Sequence, residues 1–408
     1  MQLVVIGNGM AGMRTVEELL QLAPDRYDIT VVGREPHGNY NRVMLSPVLA
    51  GEKRFEDIVI HPLSWYAERG IRLLAGHTVT EVDRRHRRVH TDLGEVLPYD
   101  RLLLATGSVP FMLPLPGHDH PDVISFRDIA DVRRLHAAAS ARPRVAVIGG
   151  GLLGLEAAYG LVIQGVSVTV VHEAGSLLNR QLDAEASGLL RAALEARGIA
   201  VRVSASSVAI EHDAGGGLRG IRFGDGSLLP CELVVMAVGI RPNVALARRM
   251  GLQVDKAILV NDTLQTFDPR VYAVGECVQH RGALFGLVAP LYEQARVCAN
   301  HLAGLGVSRY AQKPVATTLK VSGIALFSAG DFNHAEADTL VFRDPARGIY
   351  KKLCLHDGRL VGAVLYGDAR DGNTYFELIR HGSDVTAQRD RLMFAPLPPT
   401  GDDHDLAA

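Results

Sequence analysis

The chain has 408 residues, of which 47% are hydrophobic and 22% charged, with a formal net charge of -2. This composition is that of a globular protein of two or three domains, and the near balance of charge gives no reason to expect nucleic-acid binding. No apolar run reaches membrane-spanning length, no secretory signal precedes the first strand, and the four cysteines form no C-x-x-C pair; we therefore expect a cytoplasmic protein without a disulfide framework or metal centre.

The first predicted element is a strand that begins at Gln2 and ends in a glycine turn. Residues 4–12 read VVIGNGMAG and contain Gly7-x-Gly9-x-x-Gly12 directly after a β-branched run. On its own this pattern is weak, because glycines also accumulate at ordinary strand-to-helix turns. A helical segment and a second β-branched strand follow, so the segment predicts a βαβ unit.

The chain repeats this plan from Arg144, where RVAVIGGGLLGLEAAYGLVIQGVSVTVV contains Gly149-x-Gly151-x-x-Gly154. In such a fingerprint one glycine makes the tight turn, one lets the backbone approach a pyrophosphate, and one lets the helix pack close to the strand. The helix N-terminus then offers free N–H groups and a positive dipole end to the phosphates. Two copies, each between a strand and a helix, predict two dinucleotide sites.

Three further apolar stretches each predict a buried strand followed by a glycine turn. They are YDRLLLATGSVP (99–110), CELVVMAVGIRPN (231–243) and RVYAVGECV (270–278). From Pro314 the pattern changes to short strands, with a hairpin turn at Asp357-Gly358. A helix from about Gly372 to His381 follows, and the polar, proline-rich end PLPPTGDDHDLAA predicts a frayed terminus.

The two fingerprints, followed in order by ATGSVP, AVGIRPN and YAVGEC, resemble those of the two-dinucleotide-binding flavoprotein reductases over nearly the whole chain. The resemblance implies an α/β fold with two Rossmann-like, three-layer nucleotide-binding domains and a small C-terminal α+β domain. In that family the first fingerprint holds FAD, the second holds NAD(P)H, and the FAD domain is discontinuous. The implied bounds are 1–110 and 240–312 for the FAD domain, 111–239 for the NAD(P)H domain and 313–408 for the C-terminal interface domain.

A narrower resemblance links VVIGNGMAGMRTVEELL, EPHGNYNRVMLSPVLAGE, RQLD, VYAVGECV and GLVAPLYEQARV to the FAD/NAD module of NADH-dependent nitrite reductase large subunits. In those proteins a siroheme and iron–sulfur region follows downstream, and this chain has no cysteine cluster that could hold either centre. The resemblance therefore implies the flavin module alone, acting in nitrogen-oxide reduction. The first alternative is a rubredoxin or ferredoxin reductase that supplies an oxygenase; a flavin-binding signalling protein and an NADH oxidase rank below it.

The resemblance assigns FAD contacts to residues in both halves of the discontinuous domain. Glu35 is expected to accept the adenosine ribose hydroxyls, with a solvated loop carboxylate as the alternative. Arg42 takes the family's arginine position beside phosphate or flavin, with a surface ion pair as the alternative. Pro47 stands where many relatives have lysine, so Lys53 is a candidate to replace that contact. Glu276 stands where most relatives have an aspartate that bonds the ribityl chain. The other expected FAD residues are Gly7, Gly9, Met10, Ala11, Gly12, Asn41, Ala105, Thr106, Gly107 and Gly275.

Related NADH oxidases, peroxidases and disulfide reductases place a redox cysteine near the flavin-flanking stretch, but residues 43–46 (VMLS) contain none. Cys277 is interpreted as a packed small hydrophobe rather than a redox thiol. Electrons must therefore leave the flavin for an external acceptor. The helix that begins around LVAPLYEQARV is expected to point its N-terminus at the flavin and to stabilise the charge that develops there on reduction.

Contacts with the nicotinamide nucleotide are expected in the second unit. Glu156 lies at a family position near the nicotinamide, with a helix-surface acid as the alternative. Glu173 follows the second strand, where it can accept the ribose hydroxyls and repel a 2′-phosphate, so NADH is favoured over NADPH. His172 occupies the usual acid position and weakens that distinction, and Arg180 lies a turn away. The remaining expected contacts are Gly149, Gly151, Leu152, Leu153, Gly154 and Gly239.

These placements predict no catalytic side chain, because hydride passes from NADH to the flavin and geometry does most of the work. The partner is expected to be a separate redox protein: a nitrite or nitrate reductase component, a rubredoxin, a ferredoxin or a haem protein. Nucleic-acid partners, membrane partners and a bound metal are not expected. The sequence leaves the oligomeric state open, a homodimer included.

Overall fold

The chain folds into two compact units. A computed structural model describes residues 1–141 and 143–394. The first unit consists of Met1–Phe111, Arg127–Ile129 and Ile240–Lys313, and it joins the two segments predicted to bind FAD. The second unit holds the other described residues, which include the predicted NAD(P)H-binding segment and the C-terminal strands. The chain crosses between the units close to each predicted domain bound, and the bounds themselves stay a prediction.

A five-stranded parallel sheet is the core of the first unit. Its strands lie in the order Val271–Ala273, Arg101–Leu104, Gln2–Ile6, Asp28–Gly33 and Arg72–Ala75. Val5 lies between Val31 and Leu103 in the register, and all three side chains are buried. These strands are nearly continuous apolar runs because a parallel sheet is covered on both faces. The smaller sheets of this unit are Asn39–Tyr40 with Val59–His61, Val79–Asp83 with Arg88–Thr91 and Val96–Pro98, Ser108–Pro110 with Ile240–Pro242, and Ile258–Val260 with Val278–His280 and Ala283–Leu284.

The second unit contains a parallel sheet of the same plan. Its strands lie in the order Val123–Ser125, Leu233–Met236, Arg144–Ile148, Ser167–Val171 and Ile199–Arg202. In both units the strand before the glycine turn is central, and the next strand of the βαβ unit lies beside it in parallel. Both predicted βαβ units are therefore confirmed. A three-stranded antiparallel sheet of Ser207–His212, Leu218–Phe223 and Leu228–Pro230 completes this part of the unit.

The helices follow the strand pattern closely. The α-helices of the described residues are α1 (Met10–Leu22), α2 (Leu45–Leu49), α3 (Leu63–Glu68), α4 (Ile129–Ala139), α5 (Leu152–Ile163), α6 (Ala184–Glu195), α7 (Ala245–Arg249), α8 (Val288–Leu302) and α9 (Gly372–His381), with 3₁₀ helices at Arg42–Met44, Glu56–Ile58 and Thr386–Arg391. Helices α1 and α5 follow the two glycine turns directly, and α1 packs along α8. Within residues 1–141 and 143–394, every helix is too short or too polar to span a bilayer.

The C-terminal strands form an antiparallel sheet on which α9 packs. The strands lie in the order Thr317–Val321, Ile324–Gly330, Arg359–Tyr366, Ile349–His356 and Asp338–Asp344. The predicted hairpin turn is confirmed, because Asp357 (φ 49°) and Gly358 (φ 69°) both adopt the left-handed conformation of a type I′ turn. The predicted helix is also confirmed, since α9 spans Gly372–His381. The predicted frayed end lies outside the described residues. Together the sheets and helices confirm the predicted α/β fold class with a C-terminal α+β domain.

Asp183 joins the C-terminal sheet to the nucleotide-binding part of the second unit. Its Oδ1 accepts the N–H of Ala186 at 3.0 Å and caps α6. Its Oδ2 accepts the hydroxyl of Tyr350 at 2.7 Å and lies 3.5 Å from the ammonium of Lys352. Because Tyr350 is 2% exposed, its hydroxyl needs a hydrogen-bond partner inside the protein, and the carboxylate is that partner. One side chain thus satisfies both a helix end and a buried hydroxyl.

The substitution Asp183→Ala is expected to lower the free energy of unfolding by about 2–3 kcal/mol, because it removes an N-cap and leaves a buried hydroxyl without a partner. Tyr350→Phe removes one hydrogen bond only and is expected to lower it by about 1 kcal/mol. Urea unfolding of the purified variants measures both values. Equal losses for the two variants would contradict the dual role of Asp183.

Candidate functional site

The first glycine turn is packed tightly against the end of the neighbouring strand. Gly7 has a φ of 115°, and a Cβ at this position would overlap the carbonyl oxygen of Ala105. A Cβ on Gly12 would come within 2.8 Å of the Ala105 side chain. The N–H of Gly7 donates to Val32 at 2.9 Å, which joins the turn to the second strand of the unit. Only glycine fits at Gly7, because both the φ and the available space exclude a side chain.

Gly9 has a different reason to be glycine. Its backbone is extended (φ -88°), a conformation that any residue adopts, and a Cβ there would meet no protein atom within 4 Å. Gly9 is the N-cap of α1, and no side chain caps this helix. The open space and the uncapped N–H groups together fit a diphosphate that approaches the backbone at the start of α1.

The second turn repeats this geometry in the second unit. Gly149 has a φ of 126°, and a Cβ there would overlap the carbonyl oxygen of Ala237. A Cβ on Gly151 would meet nothing within 4 Å, and Gly151 is the N-cap of α5, which also has no side-chain cap. Gly154 packs against the carbonyl oxygen of Gly149. Both turns therefore fit a diphosphate for the same physical reasons.

A cleft of about 310 Å³ opens beside the first turn. The predicted residues that line it are Gly7, Gly9, Glu35, Arg42, Ala105, Thr106 and Gly107. Sequence reasoning missed several other lining residues, among them Asn8, His37, Tyr40, Arg127 and Asn243. Asn8 lies inside the fingerprint, so its position was a usable signal. His37, Tyr40 and Asn243 lie in quoted segments in which no further contacts were predicted, whereas Arg127 belongs to no quoted motif.

Glu35 and Arg42 line the cleft as partners of each other. The guanidinium of Arg42 donates to Glu35, and its other nitrogen donates to the hydroxyl of Tyr40 at 2.8 Å. Tyr40 in turn donates to the second carboxylate oxygen of Glu35 at 2.6 Å. Burial raises the pKa of Tyr40 well above its usual range, so the phenol stays protonated and donates. The three side chains form one polar wall of the cleft. Arg42 therefore makes an ion pair and also lines the cleft.

Glu276 is held by residues from two other segments of the first unit. It accepts the hydroxyl of Ser108 at 2.7 Å and pairs with the guanidinium of Arg127. The preceding Gly275 donates its N–H at 2.9 Å to the buried Gln294 on α8. The helix predicted around LVAPLYEQARV is confirmed as α8, and no side chain caps its N-terminus. The structure thus gathers these residues near the cleft, where Ser108 and Arg127 are lining residues.

Seven predicted FAD residues are not among those that line the cleft: Met10, Ala11, Gly12, Asn41, Lys53, Gly275 and Glu276. Asn41 accepts the N–H of Val43 at 3.0 Å and caps the 3₁₀ helix Arg42–Met44. Lys53 is exposed on the turn after α2, and its N–H donates to Pro47. Met10 and Ala11 form the first turn of α1, and a Cβ on Gly275 would come within 3.2 Å of the Ala11 side chain.

The predicted nicotinamide-nucleotide residues surround the second turn. Leu152 and Leu153 begin α5, and Glu156 lies half-buried one turn later on the same helix. Gly239 has a φ of 119° and open space at its Cβ position. Glu173 and Arg180 are exposed on the segment that follows the strand Ser167–Val171. Their roles toward a ligand stay predictions.

The four cysteines are all buried as free thiols. Burial raises the pKa of each of them, to about 12 for Cys231. Cys277 is 0% exposed and donates to the carbonyl oxygen of Val274 at 3.3 Å. Because a thiolate is the reactive form of cysteine, these thiols are poor redox groups. In the described part of the chain, no three His, Cys, Asp or Glu side chains are grouped to hold a metal ion.

Comparison with protein families gives this site its identity. Residues 1–301 match the pyridine nucleotide-disulphide oxidoreductase family, and residues 314–383 match the rubredoxin NAD+ reductase C-terminal domain. The chain belongs to the pyridine nucleotide-disulphide oxidoreductases. This assignment confirms an NAD(P)H-dependent oxidoreductase and its predicted cofactors, FAD and NADH. At Gly9 and Gly151 a Cβ would meet no protein atom within 4 Å, so both turns have open space beside the backbone.

Individual relatives of this oxidoreductase sharpen the resemblance. It is 47% identical to a nitrite reductase (NAD(P)H) and 41% identical to an assimilatory nitrate reductase electron transfer subunit, both from Bacillus subtilis (strain 168). These alignments cover 97% and 96% of this chain but 49% and 51% of the relatives, so the chain spans about half of their length. A solved covalent complex of putidaredoxin reductase with putidaredoxin matches at a TM-score of 0.84 and 26% identity, with 95% of each chain covered.

Gly9→Val is expected to leave the fold intact and abolish FAD retention, because a Cβ there meets no protein atom within 4 Å and the added side chain fills space that a diphosphate would need. Gly151→Val is expected to keep FAD and to weaken NADH binding at least about tenfold. The matched control is Gly188→Val, at another open and exposed glycine on α6. Flavin content and NADH-dependent bleaching of the flavin band measure both effects. Retention of FAD by Gly9→Val would contradict the assignment of the first turn.

Cys277→Ala is expected to keep the rate of flavin reduction by NADH within about twofold of the unaltered protein, since a buried, protonated thiol takes no part in electron transfer. Rapid mixing with NADH measures this rate. A drop of tenfold or more at equal FAD content would contradict this expectation and show that flavin reduction depends on the thiol.

Proposed function

We propose that this protein oxidises NADH through FAD and passes the electrons to a separate redox protein in nitrite or nitrate reduction. The observation that carries the proposal is the pair of equivalent glycine turns in a chain whose four thiols are all buried. Two nucleotide sites supply a donor and a flavin, and none of the four buried thiols is suited to accept electrons from that flavin.

FAD supplies the redox chemistry, because a flavin takes a hydride from NADH and returns electrons singly or in pairs. The protein's own residues bind and orient FAD and NADH. The turn at Gly9 holds the FAD diphosphate, and the polar wall of Glu35, Tyr40 and Arg42 holds the adenosine side of the cleft. Glu276, fixed by Ser108 and Arg127, accepts hydroxyl hydrogens from the ribityl chain. The turn at Gly151 holds the diphosphate of NADH. No side chain has to exchange a proton in the hydride step.

The choice of NADH over NADPH rests on Glu173. Its exposed carboxylate follows the strand Ser167–Val171, where the adenosine ribose binds in this type of fold. A carboxylate accepts hydroxyl hydrogens and repels a 2′-phosphate. Arg180, the nearest arginine in the segment, lies several residues farther along the chain.

Similarity supports the assignment to nitrogen-oxide reduction. The nitrite reductase and the nitrate reductase electron transfer subunit match almost the whole of this chain. The second of these relatives is named as an electron transfer subunit, which supports a separate protein as the electron acceptor, and we infer that this acceptor carries an iron–sulfur or haem centre. A rubredoxin or ferredoxin reductase is the second candidate, favoured by the match of residues 314–383 and by the putidaredoxin reductase complex.

We also propose a cytoplasmic location, because a reducing compartment suits the four free thiols.

The acceptor is tested by mixing the FAD-loaded protein and NADH with purified candidates. A nitrite or nitrate reductase component is expected to be reduced at least about tenfold faster than a rubredoxin or a ferredoxin. Gly151→Val provides the control, because it should keep FAD and lose NADH-driven turnover with every acceptor. Fast turnover with rubredoxin and none with the nitrogen-oxide enzymes would overturn the preferred function in favour of the second candidate.

A further inference from the structure

An equivalent backbone hydrogen bond in each glycine turn allows the residues of the two turns to be matched. The N–H of Gly7 donates to Val32 at 2.9 Å, and the N–H of Gly149 donates to Val171 at 2.8 Å. The residues that follow the two acceptors, Gly33 and His172, therefore occupy equivalent positions at the end of the second strand. The residues that follow the two donors, Asn8 and Gly150, are equivalent in the same way.

The two turns differ in which of these two positions holds a glycine and which holds a residue with a side chain. In the first turn Asn8 carries the side chain, and a Cβ on Gly33 would come within 2.8 Å of it. In the second turn His172 carries the side chain, and a Cβ on Gly150 would come within 2.7 Å of its ring. Each turn thus has room for one side chain between the loop and the strand end, and the second turn uses an imidazole.

His172 binds the turn directly. Its Nδ1 accepts the N–H of Gly150 at 3.2 Å. Its own backbone is fixed on both sides, because its N–H donates to Arg202 at 2.8 Å and its carbonyl accepts the N–H of Ala205 at 3.0 Å. Since Nδ1 accepts, the ring is neutral and its proton is on Nε2. Burial lowers the pKa of His172, against smaller opposing effects of Asn179 and Glu173, which favours the neutral form.

We propose that His172 is a positioning residue for the adenosine diphosphate half of NADH, an inference that rests on the proposed function of the second turn. Its imidazole holds Gly150 in the conformation that leaves Gly151 open and the first turn of α5 uncapped. A glycine-rich turn without this anchor loses more conformational freedom when it binds a ligand, so affinity falls. The ring does not touch the nicotinamide half, and the hydride step is unaffected once NADH is bound.

The test compares His172→Asn, whose Oδ1 can accept the Gly150 N–H, with His172→Leu, which fills similar space and accepts nothing. ADP-ribose and NAD+ are titrated into the FAD-loaded proteins by calorimetry, since neither probe reduces the flavin. Leucine is expected to weaken both probes about five- to tenfold, and asparagine less than about twofold. The limiting rate of flavin reduction at saturating NADH should be the same in all three proteins.

The outcomes separate this inference from the proposed function. Wild-type affinity in both variants, or an equal loss in both, would show that the acceptor atom on residue 172 has no positioning role, while the proposed function would stand. Loss of FAD or of thermal stability in His172→Leu alone, with normal binding per folded molecule, would likewise overturn it. Failure of the unaltered protein to bind ADP-ribose and NAD+ would instead overturn the second nucleotide site itself.

Discussion

The close approach of backbone amide groups to a diphosphate is the constraint on which the rest of this structure depends. Such an approach needs a helix whose first N–H groups are uncapped and a preceding residue without a side chain. Gly9 and Gly151 meet both needs, and neither is required by the protein's own packing. Gly7 and Gly149, in contrast, are required by packing, because a carbonyl oxygen of the neighbouring strand fills the place of a Cβ. Each fingerprint therefore combines one glycine that folds the turn with one that leaves space for a ligand.

Elements set by local chemistry could be predicted from the sequence. The two βαβ units, the hairpin at Asp357-Gly358 and the helix Gly372–His381 each depend on apolar periodicity or on turn residues a few positions apart. The same holds for the turns at Gly9 and Gly151, whose environment is their own strand and helix.

Contacts between distant segments could not be predicted in this way. Arg127 reaches Glu276 only because the chain leaves the first unit and returns to it. An ion pair was an open alternative for Arg42, but Glu35 was not foreseen as its partner, since a single sequence does not show whether a guanidinium meets a ligand or a carboxylate. Lys53 was inferred from a missing lysine at Pro47, but chain geometry leaves it exposed and away from the cleft. Asp183 ends the quoted segment RQLD, but no pattern predicted its contact with Tyr350, because that partner lies in the C-terminal sheet.

The burial of the four cysteines supports the proposed transfer of electrons from the flavin to an external acceptor. The family is named for disulphide chemistry, but the four thiols of this chain are buried. That burial raises the pKa of each thiol. The proposed electron transfer through the flavin therefore needs none of these thiols. An anaerobic titration of the FAD-loaded protein with NADH tests this claim most directly. One NADH per FAD is expected to bleach the visible flavin band fully, and further NADH is not consumed. Consumption of a second equivalent, with the appearance of new titratable thiols, would contradict it.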